Sequence, residues 1–152
     1  MHAEEVLPGS PQDWLRHARS DLELARTEGH DQILLEDLCF HAQQAAEKAL
    51  KAVLVAHSVA FPRTHNLRTL IDLLPAEVAV SVQVQEAITL TDYAVSARYP
   101  GELEPIDQHE YSEAVQLAQA VVAWAEANIS LRRSVTQDSS PGEDQPLQEA
   151  DQ

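Results

Sequence analysis

The chain has 152 residues, of which 44% are hydrophobic and only 5% aromatic, and this fits one domain packed mainly by Ala, Leu and Val. Its formal net charge is −15, and residues 134–152 contain five acidic residues and no Lys or Arg, which leaves −10 on the rest. Because binding along a nucleic-acid backbone relies on clustered Lys and Arg, this charge argues against a broad nucleic-acid-coating role, although it allows one local basic pocket.

Several classes of protein and site are disfavoured by what the sequence lacks. No run approaches the roughly 18 apolar residues of a membrane span, and the acidic N-terminus is not followed by the apolar segment of a signal peptide. The single cysteine, Cys39, lies in an apolar stretch and is expected to be a buried, inert thiol. The seven histidines have no metal-ligand spacing, so we expect no metal and no cofactor. We expect a cytoplasmic protein.

Hydrophobic periodicity and helix-breaking residues predict an all-α protein. Ser10 as N-cap and Pro11 at the first helical position begin a helix over 11–28, which Gly29 ends. Further helices are predicted over 33–57, from His65 to just before Pro75, over 80–94 and over 107–131, with an irregular connection at 95–106. The predicted organisation is a flexible lead over 1–9, a helical bundle over 10–133 and a disordered acidic tail over 134–152.

Four blocks of sequence, in order, carry a resemblance to a known family. The sequence AQQAAEKALKA lies in the second helix, and the other three blocks are shorter: Trp14 with Ala18, Asp21 and Leu22; Pro62-Arg63-Thr64-His65-Asn66-Leu67; and Ala97-Arg98-Tyr99-Pro100-Gly101. Together they make the chain resemble HEPN domains over about residues 11–131. The resemblance implies an up-and-down bundle of four main helices plus a short one, a homodimer, and a minimal nucleotidyltransferase as partner in a toxin–antitoxin-like system.

The nuclease branch of that family carries an Arg followed by four to six residues and a His. None of Arg16, Arg19, Arg26, Arg63, Arg68 and Arg98 has a His at that spacing. The resemblance therefore implies a branch without this ribonuclease signature, and whether the chain is an enzyme stays open.

Arg98 and Tyr99 are candidate ligand-binding residues, because they lie in a loop between two predicted helices. The guanidinium of Arg98 can grip a phosphate and Tyr99 offers a stacking face. Alternatively, Arg98 pairs with a carboxylate at a helix end and Tyr99 fills the edge of the core.

A polar stripe on the second helix supplies further candidates. His41, Gln44, Lys48 and Lys51 lie at i, i+3, i+7 and i+10, and Glu47 pairs with Lys51 at i,i+4. One interpretation is a solvated helix face, and the other is that Lys48 and His41 join Arg98 to bind an anion.

His65 is the last candidate, with two open roles. Either Thr64 or His65 caps the short helix, or His65 is a general acid or base. The candidate ligand-binding set is thus Arg98, Tyr99, Lys48, Lys51, His41 and His65. The functions that remain are a dimeric interaction module that binds nucleotide or RNA ends, a divergent ribonuclease, and a purely structural helical dimer.

Overall fold

The computed structural model describes residues 6–95 and 105–138, and all regular structure in these ranges is helical. The α-helices are α1 (Pro11–Ala25), α2 (Leu35–Ala56), α3 (Leu67–Asp72), α4 (Val82–Glu86), α5 (Asp92–Val95) and α6 (Gln108–Asp138), with a 3₁₀ helix at Ala87–Thr91 between α4 and α5. The predicted all-α fold is confirmed. None of the described helices is both long and apolar enough to cross a membrane.

Helix α1 begins as its sequence predicts and ends slightly earlier. The Ser10 hydroxyl accepts a hydrogen bond from the backbone N–H of Asp13 at 3.1 Å, and Pro11 occupies the first turn. The Asp13 carboxylate in turn accepts from the N–H of Gly9 at 2.9 Å, so two free donors at the helix start are satisfied. The helix ends at Ala25, three residues before the predicted end.

Helix α2 is the centre of the bundle, because it packs against α1 on one side and α6 on the other. Five of its six alanines are completely buried, which allows the neighbouring helices to come close, and the predicted burial of Cys39 is confirmed. The helix ends in a left-handed residue, Ser58, with φ of 58°. There the N–H of Val59 donates to Leu54 O at 2.9 Å and that of Ser58 to Val55 O at 3.0 Å, the paired bonds of a Schellman motif.

The cap of the short helix α3 differs from the expectation. Asn66 is the N-cap, and its side chain accepts from the N–H groups of Arg68 and Thr69. Thr64 instead accepts from the N–H of Asn66 at 3.1 Å, and His65 points to α2. The expectation that Thr64 or His65 caps α3 was wrong, because Asn66 is the residue immediately before the first turn and its side-chain oxygen reaches the free N–H groups there.

The helix predicted over 80–94 is present as three short pieces, α4, the 3₁₀ helix and α5. Three of the five residues in the 3₁₀ segment are β-branched, Ile88, Thr89 and Thr91, and such side chains have lower helix propensity. In addition, the Thr91 hydroxyl accepts a hydrogen bond from the N–H of Leu67 at 3.1 Å. That bond joins the tighter segment to the start of α3.

Helix α6 runs the full length of the bundle and extends past its predicted end at Leu131 to Asp138. Near its start, the Tyr111 hydroxyl donates to Ala25 O, the carbonyl of the last residue of α1. Farther along, Glu126 forms an ion pair with Arg19 at 2.7 Å. Residues 134–138, predicted as the start of the disordered tail, are helical and belong to α6. Most of the irregular connection predicted at 95–106 and the tail beyond 138 lie outside the described residues, so disorder beyond 138 stays a prediction.

Candidate functional site

A buried aspartate joins α1 to two side chains of the predicted stripe on α2. Asp21 is 7% exposed, and its carboxylate lies 3.1 Å from Nδ1 of His41 and 2.5 Å from Nζ of Lys48. The side chains of His41 and Lys48 are about one third and one quarter exposed. The negative charge of Asp21, which lies between α1 and α2, is thereby balanced by the ammonium of Lys48.

A buried glutamate makes a second cluster farther along α2. Glu47 is 3% exposed, and its carboxylate contacts Nδ1 of His65 at 2.8 Å, Nζ of Lys51 at 3.1 Å and Nε2 of Gln43 at 3.3 Å. The Gln43 amide also donates to the backbone carbonyl of His65 at 3.0 Å. The loop before α3 is therefore held against α2 at two points.

The two carboxylates fix which ring nitrogen carries hydrogen. An ionised carboxylate can only accept hydrogen bonds, so Nδ1 of His41 and Nδ1 of His65 each carry a hydrogen. This leaves Nε2 of each ring for other partners. The His65 side chain is 64% exposed, so its Nε2 is open to solvent, whereas the His41 ring is mostly covered.

Lys51 is buried, in contrast to the exposed His65 side chain. Its side chain is 10% exposed, and its ammonium is 5.6 Å from the ring centroids of both Trp14 and Phe61. The two rings meet edge to face at 6.1 Å. Such a cation between two aromatic faces is attracted to both, which adds to the salt bridge with Glu47.

The interpretation of the stripe as a solvated helix face was therefore wrong, although the predicted Glu47–Lys51 pair is present. Buried carboxylates hold Lys48 and Lys51, and α1 and the loop before α3 cover much of the stripe. The sequence could not reveal this, since the partners Asp21 and His65 come from other segments. Whether these residues bind a ligand stays a prediction, and Arg98 and Tyr99 lie outside the described residues.

The described surface also contains a groove that sequence reasoning missed. It lies between α1 and α6, has a volume of about 490 Å³, and its apolar lining residues are Leu22, Val122 and Ala123. Arg19 and Arg26 also line it, each paired with a glutamate. Within residues 6–95 and 105–138 there is no group of three His, Cys, Asp or Glu side chains that could hold a metal ion.

Two basic residues beside His65 were also not singled out from the sequence. Arg63 and Arg68 are exposed, and neither has a carboxylate partner in the part of the chain that the structure describes. The Arg and Lys side chains in α1 and α2 all have such partners. This contrast depends on tertiary contacts, so only the structure could show it.

The protein is thus a helical bundle in which two buried carboxylates, Asp21 and Glu47, join the long helix α2 to α1 and to the loop before α3. Comparison with protein families matches the HEPN domain model to residues 11–128. The chain therefore belongs to the HEPN family, as its sequence motifs predicted.

Two solved structures are similar to this chain. TT1696 from Thermus thermophilus is 32% identical, with a TM-score of 0.65 over 79% of this chain and 98% of that protein. ST0689, an archaeal HEPN homologue, is 27% identical, with a TM-score of 0.63 over the same shares. A comparison with curated proteins gave no match.

Proposed function

We propose that this HEPN protein is a dimeric interaction module that partners a minimal nucleotidyltransferase in a toxin–antitoxin-like system and binds nucleotide or RNA ends. The supporting observation is a concentration of exposed apolar side chains. Of the eight large apolar side chains exposed among the described residues, four lie between residues 24 and 40: Leu24, Ile33, Leu34 and Phe40. These four side chains lie in one stretch of the chain, and exposed large apolar side chains are typical of protein interfaces.

The charge state of the chain fits the same role. Strong negative charge disfavours wrapping around nucleic acid, while a single end or nucleotide needs only one local cationic site. The nucleotidyltransferase partnership comes from the family resemblance and is part of the proposal.

The experiment is sedimentation of the full chain at roughly tens of micromolar, a concentration at which a modest interface persists. We expect a dimer that is weakened by Leu34→Ser with Phe40→Ser and unchanged by Val82→Ser. Val82 is 73% exposed but lies outside the apolar stretch, so it is the matched control. A monomer, or equal effects of the two changes, contradicts the proposed surface.

The partnership is tested by co-expression with the minimal nucleotidyltransferase encoded nearest to this chain's gene. A stable complex that survives purification supports the proposal. Absence of both a complex and a dimer contradicts it.

Nucleotide binding is expected to depend on Arg98. The change Arg98→Ala should cost about 1.5–3 kcal/mol of binding free energy, the usual range for a hydrogen bond to a charged group. The free energy of unfolding should change by only about 0.5 kcal/mol, as for a surface substitution. A melting temperature many degrees lower without ligand would show that Arg98 is a structural pairing residue.

One observation favours a second candidate, a divergent metal-independent ribonuclease that uses His65, Arg98 and Tyr99. The buried Glu47 carboxylate orients the exposed His65 ring through Nδ1, an arrangement suited to a general acid or base. RNA cleavage by the wild type that is lost in His65→Gln and in Arg98→Ala would support this enzyme. If the protein is a dimer but shows no partner, no ligand and no activity, the remaining function is that of a purely structural helical dimer.

A further inference from the structure

The segment 63–68 is an unusual electrostatic feature of this acidic protein. It contains three exposed basic side chains, Arg63, His65 and Arg68, and no Asp or Glu. The net charge of the chain is −15, so a local cationic surface stands out against its surroundings.

The two arginines differ from the described arginines and lysines in and next to α1 and α2. Arg16 and Arg19 of α1 and Arg26 just after it each form an ion pair with a carboxylate at 2.7–2.9 Å. Lys48 and Lys51 of α2 do so at 2.5 and 3.1 Å. Arg63 and Arg68 have no such pair among the described residues. Their guanidinium groups can therefore bind an incoming anion without first giving up a carboxylate.

His65 gives this segment a fixed point. Nδ1 of its ring is held at 2.8 Å by buried Glu47, and its backbone carbonyl is held by Gln43 at 3.0 Å. The negative charge of Glu47 lies behind the ring and is balanced by Lys51 at 3.1 Å. Glu47 therefore orients the His65 ring without adding a net negative charge near Nε2.

Chain connectivity sets upper limits on the distances from His65 to the two arginines. Consecutive Cα atoms are about 3.8 Å apart, so the Cα of His65 is within about 8 Å of that of Arg63 and about 11 Å of that of Arg68. Asn66 already caps the N–H groups at the start of α3, so the side chains and not the helix end supply the charge.

We propose that Arg63, His65 and Arg68 form a binding site for a phosphate monoester, in which the two guanidinium groups grip the phosphate oxygens and Nε2 of His65 shares a proton with one of them. Arginine favours phosphate because its planar fork makes two parallel hydrogen bonds. A terminal phosphate presents more charge and more free oxygens than a phosphate within a strand. This site would supply the phosphate contacts for the nucleotide or RNA-end binding proposed above, and the inference rests on that proposal.

The experiment measures binding to the full chain of four probes, AMP, adenosine, a 5′-phosphorylated RNA oligonucleotide and the same oligonucleotide with a 5′-hydroxyl. We expect the phosphorylated member of each pair to bind at least about tenfold more tightly, the factor that one charge-assisted hydrogen bond supplies. Tighter binding of AMP identifies free nucleotide as the source of the phosphate, and tighter binding of the phosphorylated RNA identifies an RNA end. Equal binding of phosphorylated and unphosphorylated probes, or no binding, overturns the site.

The variant is Arg63→Ala with Arg68→Ala, and the matched control is Arg16→Ala with Arg26→Ala. Both changes remove two exposed arginines and the same charge, but the control arginines are already paired with Asp13 and Glu23 of α1. We expect the variant to lose about tenfold or more in affinity for the phosphorylated probe at an unchanged melting temperature, and the control to lose much less. Equal losses show a nonspecific charge effect and overturn the site.

His65 is tested separately from the arginines. The change His65→Gln should also weaken binding of the phosphorylated probe, while binding of the unphosphorylated one stays the same. Unchanged binding of both removes His65 from the site.

These outcomes also separate this inference from the proposed function. Binding that is lost only in Arg98→Ala overturns the present site but supports nucleotide recognition. A dimer and a nucleotidyltransferase complex without phosphate-dependent binding overturn this site and leave the interaction role in place.

Discussion

Lys48 of α2 donates a hydrogen bond to Asp21 of α1 at 2.5 Å, and the same carboxylate accepts from His41 at 3.1 Å. Asp21 comes from the face of α1 that otherwise buries leucine and alanine. This contact therefore fixes the register of the first two helices by charge as well as by packing.

Removing that carboxylate should be costly. We expect Asp21→Ala to lower the free energy of unfolding by about 2–3 kcal/mol, because Lys48 and His41 lose their partner in a mostly buried position. Glu23→Ala is the control, since it breaks an exposed pair between Glu23 of the same helix and Arg26 just after it, and should cost about 0.5 kcal/mol or less. Urea denaturation of both variants measures the difference, and equal costs would mean that burial of Asp21 contributes nothing.

The left-handed residue that ends α2 offers a stabilising change. Ser58 has φ of 58°, a conformation that disfavours side chains but suits glycine. We expect Ser58→Gly to raise the free energy of unfolding by about 0.5–1 kcal/mol. The same substitution at exposed Ser20 within α1 should lower it by a similar amount, about 0.5–1 kcal/mol. Thermal melts of the two variants should shift in opposite directions, and a parallel shift would refute this role of Ser58.

Acid should remove one specific contribution at the start of α1. The N–H of Gly9 and, next, the Arg16 side chain hold the pKa of Asp13 below its ordinary value of 3.8. Because the pKa is lower in the folded than in the unfolded chain, ionised Asp13 stabilises the fold above that ordinary value. The contribution is lost as the pH falls through the folded-state pKa.

The variant Asp13→Asn isolates this effect. At about pH 6 the wild type should be more stable than the variant, and the difference should shrink as the pH drops below about 3.8. Denaturation curves across that range, together with an NMR titration of Asp13, provide the measurement. A difference that stays constant down to about pH 2 would show that the ionised carboxylate is not its cause.

The buried hydroxyl of Tyr111 should matter for stability. It donates to the carbonyl of Ala25, and burial raises its pKa above the ordinary value of 10.0. We expect Tyr111→Phe to cost about 1–2 kcal/mol, since the Ala25 carbonyl is left without its partner. Tyr93→Phe removes a hydroxyl bonded to the half-buried Glu110, which water can reach, and should cost less. Chemical denaturation tests the order, and a larger loss for Tyr93→Phe would contradict it.

The sequence predicted those features that depend on neighbouring residues. Ser10 and Pro11 give the start of α1, and alanines at helical spacing give the long buried α2. The sequence predicted one continuous helix over 80–94. It missed the break because the Thr91 hydroxyl accepts a hydrogen bond from the N–H of Leu67, which is distant in sequence. The cap at Asn66 was missed because three adjacent polar residues compete for the same role.

The candidate site was predicted less well, for a related reason. A lysine such as Lys51 is expected to be exposed until the buried Glu47 and two aromatic rings are seen around it. Conversely, Arg63 and Arg68 become notable only because the described arginines and lysines in and next to α1 and α2 already have carboxylate partners. Both distinctions arise from packing between segments, which helical periodicity does not contain.

The Glu47 carboxylate accepts from three side chains, those of Gln43, Lys51 and His65. A substitution at any one of them changes what the others must do, so their mutational effects should be strongly non-additive. Among relatives, positions 43, 47, 51 and 65 should therefore covary, so that a change at one is accompanied by changes at the others. A homologue with an apolar residue at position 47 should also have lost the lysine at 51, because that lysine would otherwise be a buried charge without a counterion.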